Sequence, residues 1–374
     1  MISIPSKEFE FVKKKFGGHY ARVGIEPPQD FESREFGFGW EDKIDYRHKA
    51  FSNASELKNF FVTQTPLYAS YSTAHYRFPA AKPMEKKQPL AWDLVFDLDA
   101  PTRPAQHVHD SVFCSFCFDL VKGDALRLVE EFLEKDFGFT KNDVSINFSG
   151  SKGLHVHVNS RTAKELTQDA RKQLLDCVRG PSPDAVLREE KNSAALGPSE
   201  ASRGWGGKIH SHCRKFLENA TLEQLRGFGL RSDTAKRIID LRKNALAKLD
   251  EGNWSAVAGL EKIWAKLVPQ AISEHSVNVD RSVTFDAARL IRIPETLHGD
   301  SALAARKIPA SKLSNFNPLR DAVAFTSRDT IKIKSEIPLE IEYAGETQSV
   351  KQGVNELREG LALLLLCKAK AVLA

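Results

Sequence analysis

Two stretches of this sequence carry acids at a spacing suited to metal chemistry. Leu94-Val95-Phe96-Asp97-Leu98-Asp99 reads as a strand, and side chains two positions apart on a strand share a face, about 7 Å apart along the backbone. Asp97 and Asp99 then project together while Phe96 and Leu98 face a core. Two carboxylates held this way repel unless a cation stands between them. Their hard oxygens suit Mg²⁺ or Mn²⁺, ions that keep several waters and bind substrate phosphates. A lone D-x-D also reads as a solvated strand end. Asp93 shares the parity but precedes the apolar run, and reads as a polar strand start. A third acid, Asp280, closes Asn278-Val279-Asp280, directly before the segment 283–293. Nucleotidyl transfer with two metals calls for roughly three carboxylates, one ion activating the attacking 3′-hydroxyl and the other neutralising the leaving pyrophosphate.

A second set of ligands has different chemistry. His107-Val108-His109 followed by Cys114-Ser115-Phe116-Cys117 places four nitrogen and sulfur donors within eleven residues. Four such donors close a tetrahedral structural Zn²⁺ site and leave no open position for catalysis. The competing reading has Cys114 and Cys117 packing at the start of the following helix. Cys177, Cys213 and Cys367 are scattered and read as structural. An odd total of five cysteines argues against a disulfide framework and for a reducing compartment.

The elements that must position these groups can be read from periodicity. Helices are expected at 8–15, 54–63 and 124–136, strands at 94–98, 144–148 and 154–159, with a Gly/Ser turn over 149–153. Helical patterns dominate from 164 to about 268, broken at 180–184 and 197–208. Residues 283–293 return to strand and short-helix character, 331–343 resemble a strand pair, and 350–373 read as a closing helix. The expected class is therefore α+β: a mixed or antiparallel sheet core over 1–205 and 261–374, with a small helical insertion at 206–260. At 374 residues, 41% apolar and 28% charged, the composition is that of a globular domain. A net charge of +5 permits a polyanionic partner without demanding one. No run approaches the ~20 apolar residues of a membrane span, and the N-terminus has no export signal, so a cytoplasmic location is expected.

Four motifs in order carry a resemblance. Phe148-Ser149-Gly150-Ser151-Lys152-Gly153-Leu154-His155 resembles the S-G-x-[RK]-G-x-H turn of the archaeo-eukaryotic primases. Asp280, then Arg289-Leu290-Ile291-Arg292-Ile293-Pro294, then Leu297-His298-Gly299 resemble the family's Asp, R-L-I-R-x-P and S-L-H-G sequence. Arg34-Glu35-Phe36-Gly37-Phe38 with Arg47-His48 resembles its N-terminal segment, and the D-x-D strand completes the set. The resemblance, to the archaeal-type primase small subunit, implies a catalytic chain that makes primers for DNA replication on single-stranded DNA from nucleoside triphosphates. It implies Asp97, Asp99 and Asp280 as metal ligands, with Ser149, Lys152 and His155 on one side of a triphosphate pocket and Arg292 and His298 on the other. A zinc knuckle near 105–120, comprising His107, His109, Cys114 and Cys117, is implied as well, although relatives use three cysteines and one histidine. So are a primase large subunit as partner and a place with the replication machinery at the nucleoid.

The physical reading of the turn agrees: backbone N–H groups, a cation and an imidazole suit phosphate oxygens. His157 reads as a packed strand histidine, and for Arg289 a structural ion pair competes with phosphate contact. This chain departs from the family pattern in several places. Asp300 stands where relatives carry a basic residue: pointing into the triphosphate site it would oppose substrate, and the favoured alternative is that it faces solvent or pairs with Lys307. Thr296 replaces a serine, Pro294-Glu295 replaces Pro-Gly, and Lys152 is a point charge where relatives use the arginine fork. Gly227-Phe228-Gly229 faintly resembles a helix–hairpin–helix, with a plain turn as the simpler reading. Lys236, Arg237, Arg242 and Lys243 could track a phosphate backbone or form a solvated face. Two other functions remain open: a repair or mobile-element primase-polymerase, and a non-catalytic nucleic-acid-binding subunit on the same fold.

Overall fold

The computed structural model describes residues 5–41, 43–100, 112–187 and 195–374. Contacts divide the chain into two units. One comprises Met1–Leu126, Phe139–Lys172 and Val279–Ala374, the other Arg127–Gly138 and Gln173–Asn278.

The first unit is built on antiparallel strands: β1 (Phe36–Gly39), β2 (Tyr46–Lys49), β3 (Tyr68–Ser72), β4 (Ala74–Tyr76), β5 (Pro89–Trp92), β6 (Leu94–Asp99), β7 (Val144–Phe148), β8 (Gly153–Val158), β9 (Leu290–Arg292) and β10 (Arg306–Ile308). Two four-stranded sheets run in the orders β2-β1-β3-β9 and β10-β7-β8-β6, and every pairing within them is antiparallel. With the flanking helices this gives the α+β class. β6 starts fully buried and surfaces as it runs, so Leu94, Val95 and Phe96 anchor it in the core while Asp99 reaches the exterior. Helices Ser6–Arg22 and Ala54–Gln64 bury Phe16, Tyr20 and Phe61. Each such side chain contributes roughly 1.5–3 kcal/mol by leaving water.

The C-terminal stretch differs from its sequence reading. Strands Thr330–Ser335 and Leu339–Tyr343 both form but are not partners. The first lies between Gly353–Arg358 and Ala371–Leu373, and the second pairs with Glu346–Val350. The closing helix spans only Glu359–Cys367. Before it, Val354, Glu356 and Arg358 are exposed while Leu357 is buried, a two-residue alternation that belongs to a strand.

The second unit is helical. The segment expected over 206–260 lies within it, and the unit runs beyond both ends. A shared core is the reason: Ile209, Cys213 and Leu217 of helix Gly204–Asn219 belong to one buried cluster with Ile263, Trp264 and Leu267 of helix Leu260–His275. Phe228-Gly229 forms the turn after helix Leu222–Gly227, with Gly229 at φ +83°. Among the described residues, no helix is long and apolar enough to cross a membrane.

Candidate active site

A cleft of about 800 Å³ in the first unit is lined by Asp97, Asp99, Ser149, Lys152, His155, Arg292 and His298. These residues come from three separate stretches of chain, and sheet register explains the first meeting. β6 and β8 pair so that Asp97 faces His155 and Asp99 faces Gly153. A Cβ at position 153 would fall 2.3 Å from Asp99 Oδ1, so the carboxylate lies where only glycine leaves room. The turn between β7 and β8 closes on itself: the Ser149 N–H donates to the Gly153 carbonyl (2.9 Å) and the Gly153 N–H to Ser149 Oγ (3.1 Å). Gly150, at φ +88°, backs onto His298, whose Cβ would stand 2.8 Å from any Cβ added there. The Ser301 hydroxyl donates to the Gly150 carbonyl. The turn is thereby seated against the loop that carries His298.

Asp280 does not line the cleft itself but borders it. Its N–H donates to the Asp97 carbonyl at 2.8 Å in an isolated antiparallel bridge. It is also the N-cap of helix Arg281–Phe285, its Oδ1 accepting from the Ser282 N–H and Oγ at 2.8 Å each. One carboxylate oxygen is thus occupied by capping. Among the described residues, no group of three His, Cys, Asp or Glu side chains is arranged as it stands to hold a metal ion.

Charge is concentrated at Asp97. Burial, followed by the neighbouring charges of Asp99 and Asp280, pushes its carboxyl up to about 7. Its Oδ1 is buried without a hydrogen-bond partner, and His155 Nε2 stands 3.5 Å away. Burial, with the charges of His157 and Arg292, brings His155 down to about 3, so its ring is neutral. His298 is held neutral as well, by burial first and then by Arg292. His298 Nδ1 accepts from the Asp300 N–H at 3.1 Å, which leaves the ring proton on Nε2 as a donor. Arg292, on β9 opposite Ser70, has a buried Nη1 with no partner and lies 5.7 Å from the Tyr68 ring centroid.

Other residues singled out in the sequence fall elsewhere. His157 is packed in the strand, 4% exposed, and lines a separate cavity of about 280 Å³ with Arg34, Asp93 and Asn147. Arg289 makes a partly exposed ion pair with Asp286 at 3.5 Å. Arg34 and Arg47 are engaged with Asp93 and Glu35. Cys114 and Cys117 sit at the start of helix Ser115–Arg127, with their side chains in hydrogen-bonding contact. His107 and His109 lie outside the described residues.

Asp300 corrects the expectation made for it. It lines the cleft, accepts a hydrogen bond from the Tyr68 hydroxyl at 2.5 Å and pairs with Lys43 at 3.4 Å, whereas Lys307 pairs with Glu26. Strand β10 carries Lys307 away from the cleft, so nearness in sequence was a poor guide. Tyr68, Lys43 and Lys368 also line the cleft and belong to no motif. Tyr68 lies on an ordinary strand, and Lys368 follows an apolar helix.

The family model described as DNA primase small subunit matches residues 96–308, more than half of the chain. The DNA primase small subunit PriS of Methanococcoides burtonii is 32% identical over 388 residues, covering 96% of this chain and 97% of the relative. That of Methanocella arvoryzae is 30% identical over 96% and 97%, and that of Haloarcula marismortui 29% over the same shares. The match takes in the acids, the turn and the loop that the fold gathers around one cleft, and the chain belongs to the DNA primase small subunit family.

Proposed function

We propose that this chain is the catalytic subunit of a DNA primase, a nucleotidyltransferase that builds short primers on single-stranded DNA from nucleoside triphosphates. The observation that carries the reading is the cleft itself. Two acids on β6, with a third one backbone bridge away, face a cationic and hydrogen-bonding wall made of Lys152, Arg292 and His298. That wall suits a triphosphate: Lys152 and Arg292 supply charge, His298 Nε2–H supplies a donor, and neutral His155 borders both groups. Preorganised donors of this kind stabilise negative charge that grows on phosphoryl oxygens.

Asp97, Asp99 and Asp280 fit Mg²⁺ or Mn²⁺ by donor chemistry, since they offer hard oxygens, among them the buried, unpartnered Asp97 Oδ1. Bound there, the cation would supply charge neutralisation and Lewis acidity for in-line transfer. Asp97 itself orients its oxygens along β6, and Asp280 holds its place through the backbone bridge. Zn²⁺ would be held by Cys114 and Cys117 together with His107 and His109 as a closed structural site. By the same reading the chain works with a primase large subunit, as the relatives' subunit names suggest.

A repair or mobile-element primase-polymerase would use the same cleft. A non-catalytic binding subunit would have no need of the buried acid at Asp97. The deciding assay is template-dependent oligonucleotide synthesis with release of pyrophosphate, on single-stranded DNA with Mg²⁺ or Mn²⁺, with and without a large subunit. No product under any of these conditions sinks the proposal.

A further inference from the structure

The Asp300 carboxylate poses an electrostatic problem for a cleft read as a triphosphate site. Four cations (Lys43, Lys152, Arg292, Lys368) and four acids (Glu41, Asp97, Asp99, Asp300) line it, so no surplus of positive charge awaits an anionic substrate. Asp300 is partly answered locally by the Tyr68 hydroxyl and by Lys43. The Lys43 side chain, however, is 66% exposed, and an exposed ion pair is weak and screened.

Lys368 is placed differently. It follows directly on helix Glu359–Cys367, all nine residues of which are buried, and its N–H donates to the Leu364 carbonyl as the helix cap. The next residue, Ala369, turns the chain at φ +49° toward strand Ala371–Leu373. The backbone beneath the side chain is therefore fixed from both sides. The side chain borders the cleft within electrostatic range of both Asp300 and Lys152. Among the described residues, its ammonium makes no ion pair within 4.0 Å. A half-buried ammonium without a partner is costly unless an anion completes its shell. Lys208, also a partly buried lysine, is by contrast engaged with Asp136.

We infer that Lys368 is a phosphate-binding residue of this cleft, supplying from the C-terminal helix the positive charge that Asp300 takes away. The inference rests on reading the cleft as a triphosphate pocket. Without Lys368 the cleft would be left with more acids than cations. With it, Lys152, Arg292 and Lys368 approach a polyphosphate from three separate elements: the β7–β8 turn, β9 and the end of the C-terminal helix.

Its position also allows a purely structural role, since a cation at a helix C-terminus interacts favourably with the helix dipole. The two roles separate by phosphate number. Equilibrium binding of a nucleoside triphosphate and the matching monophosphate to the full chain with Mg²⁺, without template, is compared for the parent, Lys368→Met, Lys368→Arg and Lys152→Met. Methionine keeps the apolar stem and removes the charge. Lys368→Met is expected to weaken triphosphate binding about tenfold, the scale of one charge-assisted hydrogen bond. The monophosphate should be affected much less, and arginine should restore most of the loss. Triphosphate affinity unchanged in Lys368→Met but reduced in Lys152→Met overturns the role of Lys368 alone. If neither variant binds more weakly, the pocket reading fails with it. An equal loss for both nucleotides accompanied by a lower Tm makes Lys368 a helix cap and overturns the inference.

Discussion

Asp93 and Asp97 lie four residues apart and have opposite fates. Asp93 is 6% exposed, and burial alone would raise its carboxyl. The hydrogen bond from His75 (3.1 Å) and the paired Arg34 (2.7 Å) outweigh burial and hold it well below the ordinary range. Asp97 is also largely buried, but Asp99 and Asp280 add to the effect of burial more than Arg289 and Lys152 oppose it, and it rises to about 7. The difference separates structure from chemistry. An acid answered by its own protein is part of the scaffold, whereas an acid whose neighbouring acids outweigh its cations marks a place where a cation or substrate must complete the site.

The comparison breaks if the two acids respond alike to mutation. Asp97→Asn and Asp99→Asn should each lower primer synthesis by about a hundredfold or more, the range for removing one preorganised electrostatic group, while far-UV circular dichroism stays unchanged. Near-parental rates for either would remove it from the chemistry. Asp93→Ala should do the reverse. Stranding buried Arg34, which is 2% exposed, costs about 3–5 kcal/mol, read as a lower denaturant midpoint. The protein that remains folded at low temperature should keep its nucleotide KM. A lost KM with unchanged stability would mean that Asp93 belongs to the site.

A smaller effect sharpens the contrast on the opposite wall. His298→Ala should reduce kcat/KM for nucleotide by about ten- to a hundredfold, the loss of one hydrogen bond to a charged group at roughly 1.5–3 kcal/mol. Because His298 is neutral and donates through Nε2, this deficit should not vary between pH 6 and 8. A deficit that grows as the pH falls would show that the imidazolium is the working form.

Legibility in the sequence followed the range of the interactions. The D-x-D pair and the glycine turn are local, and strand periodicity with turn chemistry placed both. The pairing of Asp97 with His155 depends on the antiparallel register of β6 with β8, which no local signal in the sequence sets. The approach of Asp280 to Asp97 spans nearly half the chain, and no local pattern sets it: only the demand of two-metal chemistry for a third acid and the family resemblance point to it. Its second task, capping the helix that begins at Arg281, was missed. Asp300 was misjudged because its partners, Tyr68 and Lys43, lie more than two hundred residues earlier. The C-terminal strands were hidden by the apolar run 361–367, whose helical signal overwhelmed the alternation before it.

The Asp97 carboxyl also offers a test that needs no substrate. In the unfolded chain it titrates near its ordinary 3.8, and in the folded, metal-free protein near 7. Between those values the folded state holds more protons, so this group makes the protein less stable as pH rises from about 4 to about 7, and the full penalty remains above that. Asp97→Asn removes the ionisable group but keeps the shape. The metal-free variant should therefore melt a few degrees above the metal-free parent at pH 8, roughly the response expected for a large domain, with the gap closing toward pH 4. Adding Mg²⁺ or Mn²⁺ at pH 8 should raise the parent's Tm more than the variant's, because only the parent has the carboxylate to bind it. A gap that is the same at pH 4 and pH 8 would mean that Asp97 ionises normally, and that its closeness to Asp99 and Asp280 carries no electrostatic strain for a cation to relieve.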